Sequence, residues 1–176
     1  YPETRIAVST GEEPAPPYPQ GPRFVASEIT ESLDGLNFIV TDRKTAASEQ
    51  FSVNVLGQHN VTNILLATAI AVHEGMPLKD VSFQARTLKA AESRLARTVT
   101  SEGITIINDA YSANPVGIIG ALKVLALHDQ GKRLLITPGM VELGDRQDVE
   151  NHKLGKLAAK YASDVILVGS QQTAPV

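Results

Sequence analysis

The sequence predicts an α/β protein in two parts: a β meander with two helices, followed by part of a Rossmann-like parallel-sheet domain. Between residues 23 and 55, β-branched and aromatic residues cluster in short runs that are separated by turn residues. Two stretches with helical periodicity follow them. From residue 104 onward, strand-like and helix-like stretches alternate, which is typical of right-handed βαβ units.

The first part is predicted to be mainly β-structure. A short strand at Arg5–Ser9 precedes a loop, rich in proline and glycine, from Gly11 to Pro22. A meander of antiparallel strands follows, and the Asp34-Gly35 pair favours a tight hairpin within it. The predicted strands of the meander are Phe24–Ser27, Ile29–Ser32, Asn37–Thr41 and Gln50–Val55.

Two helices are expected after the meander. The first is predicted from Val61 to His73, with Asn60 as its N-cap and Gly75 beyond its end. The second is predicted from Pro77 to Ala91, because proline suits the first turn of a helix. We expect a domain boundary near residue 93, so that the chain divides into residues 1–92 and 93–176.

The second part begins with a predicted strand at Thr98–Thr100 and a turn at Glu102-Gly103. The elements predicted after it are the strand Ile104–Ile107, the helix Pro115–His128, the strand Arg133–Thr137, the helix Val149–Tyr161 and the strand Asp164–Val168. Helices of this length between strands predict a parallel sheet, and such sheets bind ligands at the carboxyl ends of their strands.

Composition excludes several classes of function. The net charge of -3 and the absence of an arginine-rich segment argue against nucleic acid as a partner. No apolar run approaches the roughly 20 residues of a membrane span. The chain has no cysteine, so it forms no disulfide or thiolate metal site, and its four histidines lack zinc-ligand spacing. A cysteine-free globular chain fits a reducing cytosol.

Polar residues follow the strand Ile104–Ile107 directly, and they are the first candidates for a binding site. Asp109 is placed to accept hydrogen bonds from ribose hydroxyls, as acidic residues at strand ends do in dinucleotide-binding folds. Tyr111, Ser112 and Asn114 can contact a substrate or can hold the loop through hydrogen bonds to its own backbone.

Two further groups of residues are candidates. Arg94 lies at the expected domain boundary, where its guanidinium can clamp a phosphate or form an interdomain salt bridge. Asn60 and Asn63 lie three residues apart at a helix start, so their amides can bind adenine together, or act as a cap and a structural amide. The sequence contains neither a Gly-x-x-x-x-Gly-Lys-Ser/Thr loop nor a Gly-x-Gly-x-x-Gly motif.

Four motifs together resemble the Mur ligase family, most closely its MurF type. In chain order they are Gly57-x-His-Asn60-x-x-Asn63, Arg94, Asn108-Asp-Ala-Tyr-Ser-Ala-Asn-Pro115 and Gly139-Met-Val-Glu-Leu-Gly144. The resemblance covers roughly residues 23 to 170, and the last two motifs distinguish this type from its sister ligases.

The resemblance implies a cytoplasmic, monomeric, three-domain enzyme of peptidoglycan synthesis. Residues 1–92 would end its central ATPase domain, and residues 93–176 would begin its carboxyl-terminal domain. With ATP and Mg²⁺, such an enzyme converts the carboxylate of a UDP-N-acetylmuramoyl-tripeptide to an acyl phosphate, which D-alanyl-D-alanine then attacks. The phosphate loop and the magnesium ligands of the family are expected upstream of Tyr1, so the chain alone is expected to be inactive.

The resemblance also implies roles for single residues. Asn63 corresponds to an amide that contacts adenine, with His59 and Asn60 supporting it. Arg94 corresponds to the arginine near the γ-phosphate and Asp109 to the ribose-binding acid. Tyr111, Ser112 and Asn114 belong to the loop that seats the dipeptide.

The chain departs from the family at several positions. Asn108, Ala110 and Ser112 replace members of the usual Asp-Asp-Ser-Tyr-Asn-Ala-Asn-Pro pattern, and the histidine expected after Glu-Leu-Gly is displaced to His152, beside Asn151. Two alternatives therefore stay open: a related ligase, such as a folylpolyglutamate-synthase-like enzyme, with another amine substrate, and a non-catalytic module that binds nucleotide or a partner.

Overall fold

The computed structural model describes residues 7–11, 21–111, 114–169 and 175–176. The chain divides into two compact units, Tyr1–Ala90 and Ala91–Val176. The predictions for residues 5–6, for most of the loop after Gly11 and for Ser112 lie outside the described residues. Within the described ranges, none of the helices combines the length and the apolar composition that crossing a membrane requires.

The first unit is built on a four-stranded sheet. Its strands are β1 (Val8–Ser9), β2 (Phe24–Ser32), β3 (Gly35–Asp42) and β4 (Ala47–Val53), in that spatial order. β1 runs parallel to β2, whereas β2, β3 and β4 pair antiparallel. The predicted meander is therefore confirmed.

One detail of the predicted meander is wrong, because the two strands expected at residues 24–32 form the single strand β2. The register of β2 against β3 shifts between Ser27 and Thr30. Glu28 lies at this shift in the left-handed conformation, with φ of 52°. A β-bulge thus absorbs the break in the alternating pattern and lets the strand continue.

The tight hairpin between β2 and β3 is confirmed. Ser32 pairs with Gly35, so Leu33 and Asp34 are the two loop residues. Gly35 has φ of 133°, and a Cβ atom there would collide with the carbonyl oxygen of Val53. Both constraints require glycine at this position.

Two helices, α1 (His59–His73) and α2 (Leu78–Ala85), pack on the sheet through its apolar face. Phe38 and Phe51 stack at the centre of this core, with ring centroids 5.4 Å apart. The main buried residues around them are Phe24, Leu36, Val40, Val61, Leu65 and Val81.

The predicted helix boundaries need two corrections. The N-cap of α1 is Gln58, and Asn60 lies inside the first turn instead of capping it. α2 ends at Ala85 instead of Ala91, because its last turns tighten: the amides of Arg86, Thr87 and Leu88 each bond to the carbonyl three residues back.

A partly buried ion pair lies at the end of the sheet. Arg23 Nε and Nη2 donate to the two carboxylate oxygens of Asp42 at 2.9 and 2.8 Å, and only 2% of the Asp42 side chain is exposed. The same carboxylate accepts from the Lys44 amide and the Thr45 hydroxyl. The hydrogen bonds from Arg23 hold the pKa of Asp42 below its usual range.

Asp42→Ala is expected to lower the free energy of unfolding of the chain by about 3 kcal/mol, because it leaves the guanidinium without its carboxylate. Because the pKa of Asp42 is lower in the folded chain, its ionised carboxylate stabilises the fold at pH values above the unfolded pKa of about 3.9. This stabilisation is lost as the pH falls through the pKa of the folded state. Urea titrations at several pH values should therefore show that the free energy of unfolding falls more steeply toward acid pH in wild type than in Asp42→Ala. Glu74→Gln, which changes an exposed carboxylate, is the control; equal stability of Asp42→Ala and wild type would contradict the prediction.

The second unit alternates strands and helices as predicted. Its elements are β5 (Ala96–Val99), β6 (Thr105–Asn108), α3 (Pro115–Ala126), β7 (Leu134–Thr137), a 3₁₀ turn at Gly144–Arg146, α4 (Gln147–Tyr161) and β8 (Asp164–Leu167). β7 and β8 pair parallel, which confirms parallel pairing at this crossover. β6 instead pairs antiparallel with β5, because the short turn at Glu102-Gly103 allows a hairpin.

The core of the second unit lies between α3, α4 and the segment after β7. Its buried members are Ile118, Leu122, Met140 and Leu154. The α/β fold class is thus confirmed in both units.

Candidate functional site

Two segments of the second unit are joined into one structure, which we call the Arg94 clasp. It consists of the turn Ser93–Leu95 and of Asn108, Asp109 and Tyr111, which follow β6. The pairing of Ala96 with Asn108 in the β5–β6 hairpin places the two segments side by side. The clasp therefore depends on the antiparallel pairing of β5 with β6, whereas the sequence predicted the two strands and the turn but not their pairing.

Hydrogen bonds join the two segments of the clasp. The Leu95 amide donates to Asp109 Oδ1 at 3.1 Å, and the Tyr111 amide donates to the Ser93 carbonyl at 3.2 Å. Asn108 Nδ2 donates to the Ser93 hydroxyl at 3.3 Å. Each residue that flanks Arg94 is thus bonded to the segment after β6.

The turn around Arg94 is conformationally strained. Ser93 and Leu95 both adopt left-handed backbone angles, with φ of 57° and 48°, although neither is glycine. Such angles cost of order 1–3 kcal/mol each and persist only where the surroundings enforce them. Leu95 is buried and anchors the turn, whereas Arg94 between the two is exposed. Strain of this kind clusters at functional sites.

The guanidinium of Arg94 lies over the ring of Tyr111, with 4.2 Å between its central carbon and the ring centroid. A cation–π contact restrains a guanidinium without using up its N–H groups as hydrogen-bond donors to carboxylates or phosphates. The arginine is therefore oriented while it can still bind an anion.

Asn108 and Asn114 have structural roles in this unit. Asn108 Oδ1 accepts from the Ala110 amide, and Asn114 Oδ1 accepts from the amides of Val116 and Gly117 as the N-cap of α3. The side-chain oxygens of both residues therefore accept hydrogen bonds from nearby backbone amides. Ser112 lies outside the described residues.

The candidate adenine-binding amides lie in the first unit, at the start of α1. Asn60 Nδ2 donates to the Leu56 carbonyl at 2.7 Å, and Asn63 Nδ2 donates to Asn60 Oδ1 at 3.0 Å. Asn60 thus fixes the orientation of Asn63, which is exposed together with His59. An oriented amide presents an oxygen acceptor and an N–H donor, the pair that matches N6 and N7 of adenine.

The loop after β7 is held by a buried amide that sequence analysis did not identify. Asn151, in α4, is fully buried; its Oδ1 accepts from the Met140 amide at 2.7 Å and its Nδ2 donates to the Met140 carbonyl at 2.9 Å. Its neighbour His152 is exposed. The inward-facing position after the Glu-Leu-Gly motif is thus occupied by asparagine.

Asn151→Ala is expected to lower the free energy of unfolding by about 2–4 kcal/mol, because it leaves two buried backbone groups of Met140 without a partner. His152→Ala, at the exposed neighbouring position, should change it by less than about 0.5 kcal/mol. Urea denaturation followed by circular dichroism measures both. If Asn151→Ala unfolds at the same urea concentration as wild type, the hydrogen bonds between Asn151 and Met140 do not stabilise the loop after β7.

The described residues contain no cluster of three or more histidine, aspartate or glutamate side chains that could hold a metal ion. The remaining candidates divide between the units: His59, Asn60 and Asn63 belong to the first, whereas Arg94, Asp109, Tyr111 and Asn114 belong to the second. Within the second unit, the structure brings Arg94, Asp109 and Tyr111 together.

The chain resembles known proteins over both units. A family profile described as Mur ligase, glutamate ligase domain, matches residues 93–175. The UDP-N-acetylmuramoyl-tripeptide–D-alanyl-D-alanine ligase of Bacillus subtilis (strain 168) is 30% identical over 75% of this chain and 28% of its own length.

Two solved structures share the fold. A crystal structure of MurF from Acinetobacter baumannii matches with a TM-score of 0.74 at 29% identity, over 86% of this chain and 33% of that one. MurF from Thermotoga maritima, solved in complex with ADP, matches with a TM-score of 0.73 at 17% identity, over 89% of this chain and 36% of that one. The chain spans about a third of the length of these relatives.

Proposed function

Because the chain belongs to the Mur ligase family, we propose that it is part of an ATP-dependent amide ligase of the MurF type. The complete enzyme joins D-alanyl-D-alanine to a UDP-N-acetylmuramoyl-tripeptide in peptidoglycan synthesis. The family, the names of the relatives and the two MurF-type loop motifs support this assignment. Following the family, we place the enzyme in the cytoplasm as a monomer.

The proposal assigns a domain to each part of the chain. Residues 1–92 are the last part of a central ATP-binding domain, and residues 93–176 are the first part of the carboxyl-terminal ligase domain. The division into units at Ala90 and Ala91 and the start of the family match at residue 93 support this assignment. By itself the chain, which contains no phosphate-binding loop motif, is proposed to be inactive.

In this proposal, each part of the chain carries its own nucleotide-contacting residues. Asn63 contacts adenine, oriented by Asn60 and flanked by His59, and the Asn63–Asn60 hydrogen bond supports this role. Asp109 accepts hydrogen bonds from the ribose hydroxyls, since a carboxylate has about four acceptor sites and can bond to more than the Leu95 amide.

Arg94 is the proposed catalytic residue. Negative charge is distributed over the oxygens of the transferred phosphoryl group, and a cation that is already in position stabilises it without rearrangement. The strained turn and the ring of Tyr111 support such preorganisation. Mg²⁺, bound outside the described residues, would neutralise further charge on the phosphates.

The loop from Tyr111 to Asn114 is proposed to seat the incoming dipeptide. The amine of the dipeptide attacks the acyl phosphate, the carbon–nitrogen bond forms and inorganic phosphate leaves. The cap formed by Asn114 fixes this residue at the start of α3 and supports its part in the role.

The observation that carries the proposal is the coupling of Arg94 to Asp109 through the Leu95 amide, because it links a phosphate-binding residue to a ribose-binding one. The test incubates the complete protein with ATP, Mg²⁺, UDP-N-acetylmuramoyl-tripeptide and either D-alanyl-D-alanine or L-glutamate. Mass spectrometry should detect the dipeptide adduct and an equal amount of ADP. A glutamate adduct alone would support the folylpolyglutamate-like alternative, and nucleotide binding without product would support a non-catalytic module.

A further inference from the structure

We propose that Tyr111 is a positioning residue for Arg94. The ring of Tyr111 holds the guanidinium of Arg94 in place to meet the transferred phosphate. The inference rests on the proposed function, but it reassigns the ring of Tyr111 from contact with the dipeptide to support of Arg94. A dipeptide contact would act on binding of the amine, whereas a positioning role acts on the step in which Arg94 takes part.

The location of the tyrosine ring supports this role. The ring is 71% exposed, so burial in the core does not explain its position. The ring contacts the guanidinium of Arg94, whose central carbon lies 4.2 Å from the ring centroid. An exposed aromatic ring that supports an exposed arginine orients the cation and leaves its donors accessible.

The backbone contacts of Tyr111 strengthen the argument. Its amide donates to the carbonyl of Ser93, the residue directly before Arg94. Tyr111 therefore contacts the strained turn through its backbone and its ring, and the two contacts fix the ring relative to the arginine. A second pair, Arg86 and Phe83, has similar chemistry at 5.8 Å but lies in the first unit, outside the clasp. That pair provides a matched control.

The test measures steady-state kinetics of the complete ligase with Tyr111→Leu, Tyr111→Phe and the control Phe83→Leu. Tyr111→Leu should lower kcat about tenfold and change KM for D-alanyl-D-alanine less than about twofold. Tyr111→Phe keeps the ring and should restore most of kcat. Phe83→Leu should behave as wild type. A raised KM for the dipeptide with unchanged kcat would overturn the proposal.

A double-mutant cycle isolates the coupling between the two side chains. If Tyr111 acts through Arg94, Tyr111→Leu should have no further effect on kcat once Arg94 is alanine. If Tyr111→Leu lowers kcat by the same factor with arginine and with alanine at position 94, the proposal is overturned. Circular dichroism confirms that each variant is folded.

The ring contact can also be tested without activity. In NMR spectra of this chain, the Arg94 side-chain protons should show a ring-current shift that Tyr111→Phe keeps and Tyr111→Leu removes. An absent shift in wild type would overturn the positioning role. If the shift is present but the complete wild-type protein makes no adduct, the proposed function fails while the contact stands.

Discussion

Replacing Arg94 by alanine is expected to lower kcat of the complete protein by about 10²–10³-fold, because the proposed function makes this arginine the preorganised cation at the developing charge on the phosphoryl group. The KM for ATP should change much less, since the proposal assigns adenine and ribose to other residues. The strained angles at Ser93 and Leu95 fix the backbone at this position and do not depend on the arginine side chain.

Two further variants sharpen this test. Arg94→Lys retains the charge but loses the planar guanidinium, so it should recover only part of kcat. Arg86→Ala removes an exposed arginine that also lies over an aromatic ring and should leave kcat within about twofold of wild type. A wild-type kcat in Arg94→Ala would remove Arg94 from the catalytic mechanism.

Asp109→Ala is expected to raise the apparent KM for ATP by about 10–100-fold, because a hydrogen bond to a charged group contributes about 1.5–3 kcal/mol. It should also lower kcat, since the Leu95 amide loses its acceptor and the turn that carries Arg94 loosens.

Asp109→Asn separates these two effects. The oxygen of asparagine can still accept from the Leu95 amide, so kcat should stay nearer to wild type, while loss of the charge still raises the KM for ATP. The same kcat in both variants would show that the bond to Leu95 does not position Arg94. A wild-type KM for ATP in both would exclude Asp109 from the ribose site.

Local patterns in the sequence predicted much of the fold. The runs of β-branched and aromatic residues in the meander, the Asp34-Gly35 hairpin and the helix start at Pro115 all act over a few neighbouring positions, and the structure confirms each. The incorrect boundaries were also local: a bulge at Glu28 and the tightened end of α2 at Arg86 each depend on backbone geometry that residue type determines weakly.

Contacts between distant residues could not be predicted in this way. Arg23 and Asp42 are 19 positions apart, and Asn151 meets Met140 across 11 positions. Tertiary packing selects these partners, and neither sequence segment identifies the other.

For the candidate site, residue types at a strand end predicted Asp109 and Tyr111, and the expected boundary predicted Arg94. The left-handed conformation of Ser93 and Leu95 had no signal in the sequence, because residues other than glycine adopt it only under tertiary constraint. The β5–β6 hairpin supplies that constraint by placing the two segments of the clasp side by side.

The central claim, amide formation through an acyl phosphate, is tested most directly by oxygen transfer. The complete protein is supplied with ATP, Mg²⁺, D-alanyl-D-alanine and a UDP-N-acetylmuramoyl-tripeptide labelled with ¹⁸O in its reacting carboxylate. Attack of that carboxylate on the γ-phosphate, followed by displacement by the amine, leaves one labelled oxygen on inorganic phosphate. We predict one ¹⁸O in the phosphate for each adduct formed; an adduct that forms with unlabelled phosphate, or no adduct at all, would contradict the account.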